Sequence, residues 1–68
     1  MQEVKSSNIS HIEHKGTTLT VRFKSGATWH YADVPAHVHH ELVNAESIGG
    51  YFARHIRPHY KGTKHEGG

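Results

Sequence analysis

The chain has no cysteine, so disulfide staples, thiol catalysis, thiolate metal sites and iron–sulfur ligation are all excluded. Aromatic residues make up only 9% of it, with one tryptophan, Trp29. No apolar run approaches the roughly 18–20 residues that span a bilayer. The opening Met-Gln-Glu-Val-Lys-Ser-Ser-Asn lacks the basic and apolar regions of a secretory signal. The expected location is therefore the cytoplasm, with no membrane contact. What is present is one small domain: 68 residues, 34% of them hydrophobic, supply a single thin core. A domain of this size buries only about 60% of the surface of its unfolded chain.

The net charge of +2 hides a polarity along the chain. Lys5, Lys15, Arg22 and Lys24 outweigh Glu3 and Glu13 in the first half. Asp33, Glu41 and Glu46 make the middle acidic, and Arg54, Arg57, Lys61 and Lys64 outweigh Glu66 at the end. Nine histidines lie over this pattern, and protonating all of them would carry the net charge from +2 to +11. A basic final third suits a polyanionic partner.

Leu19, Val21 and Phe23 alternate with Thr20, Arg22 and Lys24, the signature of a half-buried strand. Lys15-Gly16 before it and Ser25-Gly26 after it are hairpin turns. Ala27, Trp29 and Tyr31 continue the alternation on a later strand, with Thr28 and His30 opposite. An earlier strand near residues 9–14 puts Ile9 and Ile12 on opposite faces unless a bulge intervenes. Val34-Pro35 then starts a helix, with Val38, Leu42 and Ala45 as its apolar stripe to about Glu46, and Gly49-Gly50 as its left-handed end. Ile48, Phe52 and Ile56 mark a second short helix over about 50–57, stopped by Pro58. The expectation is an α+β domain over residues 1–60: a three-stranded antiparallel meander with two helices on one face. Residues 61–68 carry no apolar side chain and are expected to be a frayed basic tail.

With these residues placed, the sequence resembles the KTSC domain family, named for its occurrence at the C-terminus of some lysyl-tRNA synthetases. The resemblance rests on Ser6-Ser7-Asn8-Ile9, the Leu19–Gly26 hairpin, and Trp29-His30-Tyr31 at the family's central aromatic-x-aromatic motif. It continues through Asp33-Val34-Pro35, Ser47-Ile48-Gly49-Gly50-Tyr51-Phe52, His55-Ile56-Arg57 and Tyr60. It spans residues 6–60 and implies the stand-alone form found in small bacterial and phage proteins. The synthetase context implies RNA as a partner. Trp29 replaces the family's usual tyrosine, and Ala53 stands where an asparagine is common, which implies loss of any contact that asparagine makes.

Several constellations carry possible chemistry. Trp29 and Tyr31 suit either a base-stacking platform or the core, and the thin core favours the second use for Trp29. Ser47, Gly49 and Gly50 precede a helix N-terminus, where free amides favour an anion. Arg54 and Arg57, at i and i+3, are expected to share a face, with Lys61 and Lys64 following, and together to hold two or three phosphates. The competing reading is a glycine cap followed by an ordinary solvated basic face. Arg22, Lys24 and His30, on the outward sheet face, extend the footprint if the surfaces adjoin. His37, His40 and Glu41 share a helix flank, but no second ligand pair accompanies them, so no metal or other cofactor is expected. A core this small offers no water-excluding pocket for a triad or an acid–base pair, and no enzyme is expected. The resulting expectation is a small non-enzymatic binding module that holds RNA through the second helix and the glycine turn. The alternative is a protein-interaction or nucleotide-binding module, and free sheet edges make a homo-oligomer conceivable.

Overall fold

The computed structural model describes residues 2–65. Five strands form one antiparallel sheet in sequence order: β1 (Gln2–Glu3), β2 (Ile9–Lys15), β3 (Thr18–Phe23), β4 (Thr28–Tyr31) and β5 (Gly62–Lys64). The alternation in β3 sends Leu19 and Val21 fully into the core, while Arg22 stays exposed on the other face. Register carries the pattern across the sheet, pairing Val21 with Ile12 and Trp29, and Leu19 with His14 and Tyr31. The irregularity in β2 is a bulge. Ile9 pairs with Phe23 but His11 pairs with Arg22, so Ser10 is the extra residue. The bulge returns Ile9 to the face of Ile12, and both are completely buried. Ser10 Oγ donates to the Arg22 carbonyl across the gap, at 3.2 Å.

Helix α1 (Ala36–Val43) and helix α2 (Ile48–Tyr51) cover the apolar face, and α2 runs on into a π-helical turn, Phe52–Ile56. Val38 and Leu42 of α1 meet Ile48, Phe52 and Ile56 in the same core as Ile12, Leu19, Val21, Tyr31 and Val34. All the buried side chains in the described residues are hydrophobic or, for Tyr31, aromatic with a phenol. The sheet thus has one face under helices and one face bare.

Three expectations are corrected. The sheet has five strands rather than three, because two very short segments pair on its outer edges. β1 pairs Gln2 with Ile12, and β5 pairs Gly62 with Tyr31 and Lys64 with Trp29. Residues 62–64 are therefore ordered by backbone pairing, which needs no apolar side chain, and only 66–68 of the expected tail lie outside the described residues. Helix α1 stops at Val43, short of Glu46. Asn44 caps it by donating both its amide N–H, at 3.2 Å, and its side-chain Nδ2, at 2.8 Å, to the His40 carbonyl. Gly49 and Gly50 accordingly do not end α1 in a left-handed turn; they lie inside the first turn of α2.

Candidate functional site

Tyr31 and Phe52 stand at the centre of an aromatic chain. Phe52 meets Phe23 edge-on at 5.6 Å and Tyr31 edge-on at 5.4 Å, and Tyr31 stacks on Trp29 at 6.4 Å between ring centroids. Tyr31 and Phe52 are 5% exposed, while Phe23 and Trp29 are half-buried. The chain therefore has a fixed floor and two rings open at the surface. Above it lies a cleft of about 360 Å³, lined by these four rings with Asn8, Gly49, Ala53, Arg57 and Gly62. Trp29 is both a core-packing residue and a wall of this cleft. Trp29 and Ala53 both line it.

Two glycines let neighbouring segments pack closely at the edges of the cleft. A Cβ on Gly62 would fall 2.5 Å from the Tyr31 ring, so only glycine lets β5 lie against that tyrosine. A Cβ on Gly49 would lie 2.9 Å from Asn8 Oδ1, where the loop before β2 crosses the helix. Asn8 Oδ1 already accepts from Ser6 Oγ at 3.2 Å, which leaves its Nδ2 free of that bond.

The π-helical turn decides where the arginines go. Its defining bond runs from the Arg57 N–H to the Phe52 carbonyl, five residues back, at 3.0 Å. One extra residue per turn removes the i, i+3 alignment that an α-helix would give. Arg57 borders the aromatic cleft, whereas Arg54 borders a separate groove with Ala45, Glu46, Ser47, Gly50, Tyr51 and His55. The expected shared arginine face is not formed. Arg57 is close enough to Tyr31 for its positive charge to favour the phenolate, but burial dominates and pushes the Tyr31 phenol above its ordinary value.

Ser47, Gly49 and Gly50 border an open depression together with Lys5, Ser6, Ser7, Asn8 and Glu46, and one of the amides there is bonded internally. Ser47 Oγ caps α2 by accepting the Gly50 N–H at 3.1 Å. The two glycines make room for that hydroxyl and for the Ser6–Asn8 loop. Lys61 is exposed just before β5, and its carbonyl accepts from Ala32 N–H. Lys64 lies opposite Trp29 in the β4–β5 ladder and so projects from the same face of the sheet. Arg22 and His30 border a depression on the bare face with Thr28 and His65, and His30 Nδ1 bonds Thr20 Oγ1 at 2.9 Å. Lys24 borders a third depression, beside Glu3, Val4 and Lys5. The sheet separates Arg22 and His30 from Arg57, so these surfaces do not adjoin.

His37 and His40 are exposed on α1, and Glu41 accepts a hydrogen bond from Tyr51 Oη at 3.1 Å. Burial, that bond and the Glu41 charge raise the Tyr51 phenol above its ordinary value. Among the described residues, no three histidine, aspartate or glutamate side chains gather as a metal-holding group. No helix among them is long and apolar enough to cross a membrane.

The KTSC domain model matches residues 5–60. The chain belongs to the KTSC domain family. The crystal structure of a KTSC domain protein from Yersinia pestis superposes with a TM-score of 0.90 at 29% identity, covering 94% of this chain and 93% of that one. Lysine–tRNA ligase from Nostoc punctiforme is 41% identical over 49 residues, which is 72% of this chain and 9% of the ligase. The corresponding ligase from Trichormus variabilis is 46% identical over 44 residues, 65% of this chain and 8% of that protein. This KTSC domain thus matches a segment under a tenth as long as those enzymes. The family match begins after β1 and ends before β5, so both edge strands of the sheet lie outside the matched span.

Proposed function

We propose that this KTSC domain is a non-enzymatic module that binds nucleic acid, RNA in particular, through phosphate contacts from Arg57, Lys61 and Lys64. The observation that carries the reading is the placement of Arg57 at an open aromatic cleft, with Lys64 emerging from the face of Trp29 beside it. Cations set against aromatic rings are the combination used to hold single strands, in which the backbone needs charge and the bases need flat apolar surface. The similarity to segments of lysine–tRNA ligases adds support, since those enzymes are named for a reaction on tRNA.

The test is a fluorescence-anisotropy titration of labelled single-stranded RNA at two salt concentrations and pH 7.5. Affinity is expected to fall with salt, by a slope of about 0.7 per phosphate contact on a log–log scale. Arg57→Glu should weaken binding and flatten that slope, while Arg54→Glu, in its separate groove, should do so much less. Absence of binding at low salt, or affinity indifferent to both salt and Arg57, overturns the reading.

A further inference from the structure

We infer that the aromatic cleft is a pocket for one unstacked base of the bound strand, a deepening that rests on the RNA-binding reading above. Three features converge on this occupant. The first is shape. Phe23, Tyr31, Trp29 and Phe52 form a continuous aromatic wall, two of whose rings are fixed in the core and two of which keep open surface. Gly49, Ala53 and Gly62 complete the lining of this space of about 360 Å³, with Gly62 lying against the Tyr31 ring. The ring surface left open to an occupant is that of Phe23 and Trp29, held in place by the buried Tyr31 and Phe52, and flat ring surface suits a planar heterocycle.

The second feature is polarity. Asn8 sits on the rim, and with its Oδ1 held by Ser6 Oγ it offers Nδ2 as a donor to an acceptor on a base edge. The third is charge beyond what one nucleotide needs. Arg57 borders the pocket, Lys64 pairs with Trp29 in the β4–β5 ladder, and Lys61 stands three residues before it, so a strand whose base enters the pocket has cations for its phosphates. A base stacked within a duplex cannot enter such a pocket, so the site selects single strands.

Trp29 is the only tryptophan and lines the pocket, so tryptophan emission has a single source there. The experiment titrates the wild-type protein with a short single-stranded RNA, the same strand annealed to its complement, an abasic oligonucleotide of equal length, and a mononucleotide. It then repeats the RNA titration with Ala53→Phe, an exposed helical position at which a larger ring fills the cleft. The single strand is expected to quench Trp29, while the duplex and the abasic strand leave its emission unchanged. The abasic strand should bind about tenfold or more weakly, the range expected for losing one stacked base. Ala53→Phe should lose a similar factor while keeping the wild-type salt slope, since the phosphate contacts remain. Salt-dependent RNA binding with no quenching, and with equal affinity for the abasic strand, overturns the base pocket and leaves the phosphate reading standing. Quenching by the mononucleotide at the strand's own affinity overturns the strand as occupant. Failure of every RNA to bind at low salt removes both readings together. The wild-type comparisons decide the matter even if Ala53→Phe does not fold.

Discussion

Helix α1 and the α2–π segment are built on the same sheet face and differ in how closely they follow ideal helical spacing. In α1, Val38 and Leu42 point into the core as a 3.6-residue period requires, and the polar residues His37, His40 and Glu41 stay exposed. In the second segment Ile48, Phe52 and Ile56 are buried at four-residue steps, but the turn between Phe52 and Arg57 is one residue wider. The apolar stripe survives that widening; the arrangement of the exposed residues does not. Arg57 swings to the aromatic cleft and Arg54 to the groove by Ser47. The comparison teaches that buried spacing and surface spacing are separate properties of a helix, and that a binding face inferred from i, i+3 arithmetic holds only where the turn is regular.

The sharpest way to break that comparison is to test whether the wide turn is as firmly packed as α1. Ile56 is completely buried, so Ile56→Ala should destabilise the fold by about 2–5 kcal/mol, seen in urea unfolding as a lower midpoint at unchanged slope. A loss well below 1 kcal/mol would mean that the π-helical turn is loosely held and that Arg57 is not fixed by it. A smaller effect separates capping from anion binding at the start of the segment. Ser47→Ala removes the side-chain cap on Gly50 and should cost about 1 kcal/mol while leaving RNA affinity unchanged. Loss of affinity without loss of stability would assign the Ser47 hydroxyl to ligand binding in the depression that it borders.

The smallest expected effect concerns α1. His39 stacks on His14 with the rings 8° from parallel and 5.1 Å apart, and His14 Nε2 donates to the Val34 carbonyl at 2.7 Å. Burial, reinforced by the neighbouring His14 and His40, holds the His39 imidazole below its ordinary value. The unfolded chain therefore binds this proton more readily than the fold does. Stability should be full above about pH 6.5, decline as pH falls below it, and level off beneath the lowered value in the fold. His39→Gln should flatten that part of the pH–stability curve; an unchanged curve would place the acid sensitivity elsewhere.

Much of the fold was legible because β2, β3, β4 and α1 each bury a periodic stripe, and even the bulge was signalled by the conflict between Ile9 and Ile12. The edge strands were not legible. β1 has two residues and β5 three, too few to show a period, and their order comes from backbone pairing with strands distant in sequence. The site was half legible. Arg57 and Lys61 were marked by charge, and Trp29 and Tyr31 by ring type. That Arg57, Trp29 and Tyr31 meet in one cleft depends on the wide turn and on Gly62 lying against Tyr31, neither of which has a side-chain pattern to announce it. The glycines were misread for the same reason, since a glycine that admits a neighbouring loop looks in sequence like one that ends a helix.

Strand β5 gives the module a boundary different from the one its sequence similarity draws. The His65 N–H donates to the Thr28 carbonyl at 2.8 Å, and the ladder through Lys64, Thr63 and Gly62 continues beside Trp29, His30 and Tyr31. A gene fragment trimmed to the matched residues 5–60 would strip that ladder away. It would leave the free edge of β4 as a template for any passing strand and remove one wall from the cleft at the same stroke. Engineering with this fold, whether fusion, transplantation or display, therefore has to carry the last strand along.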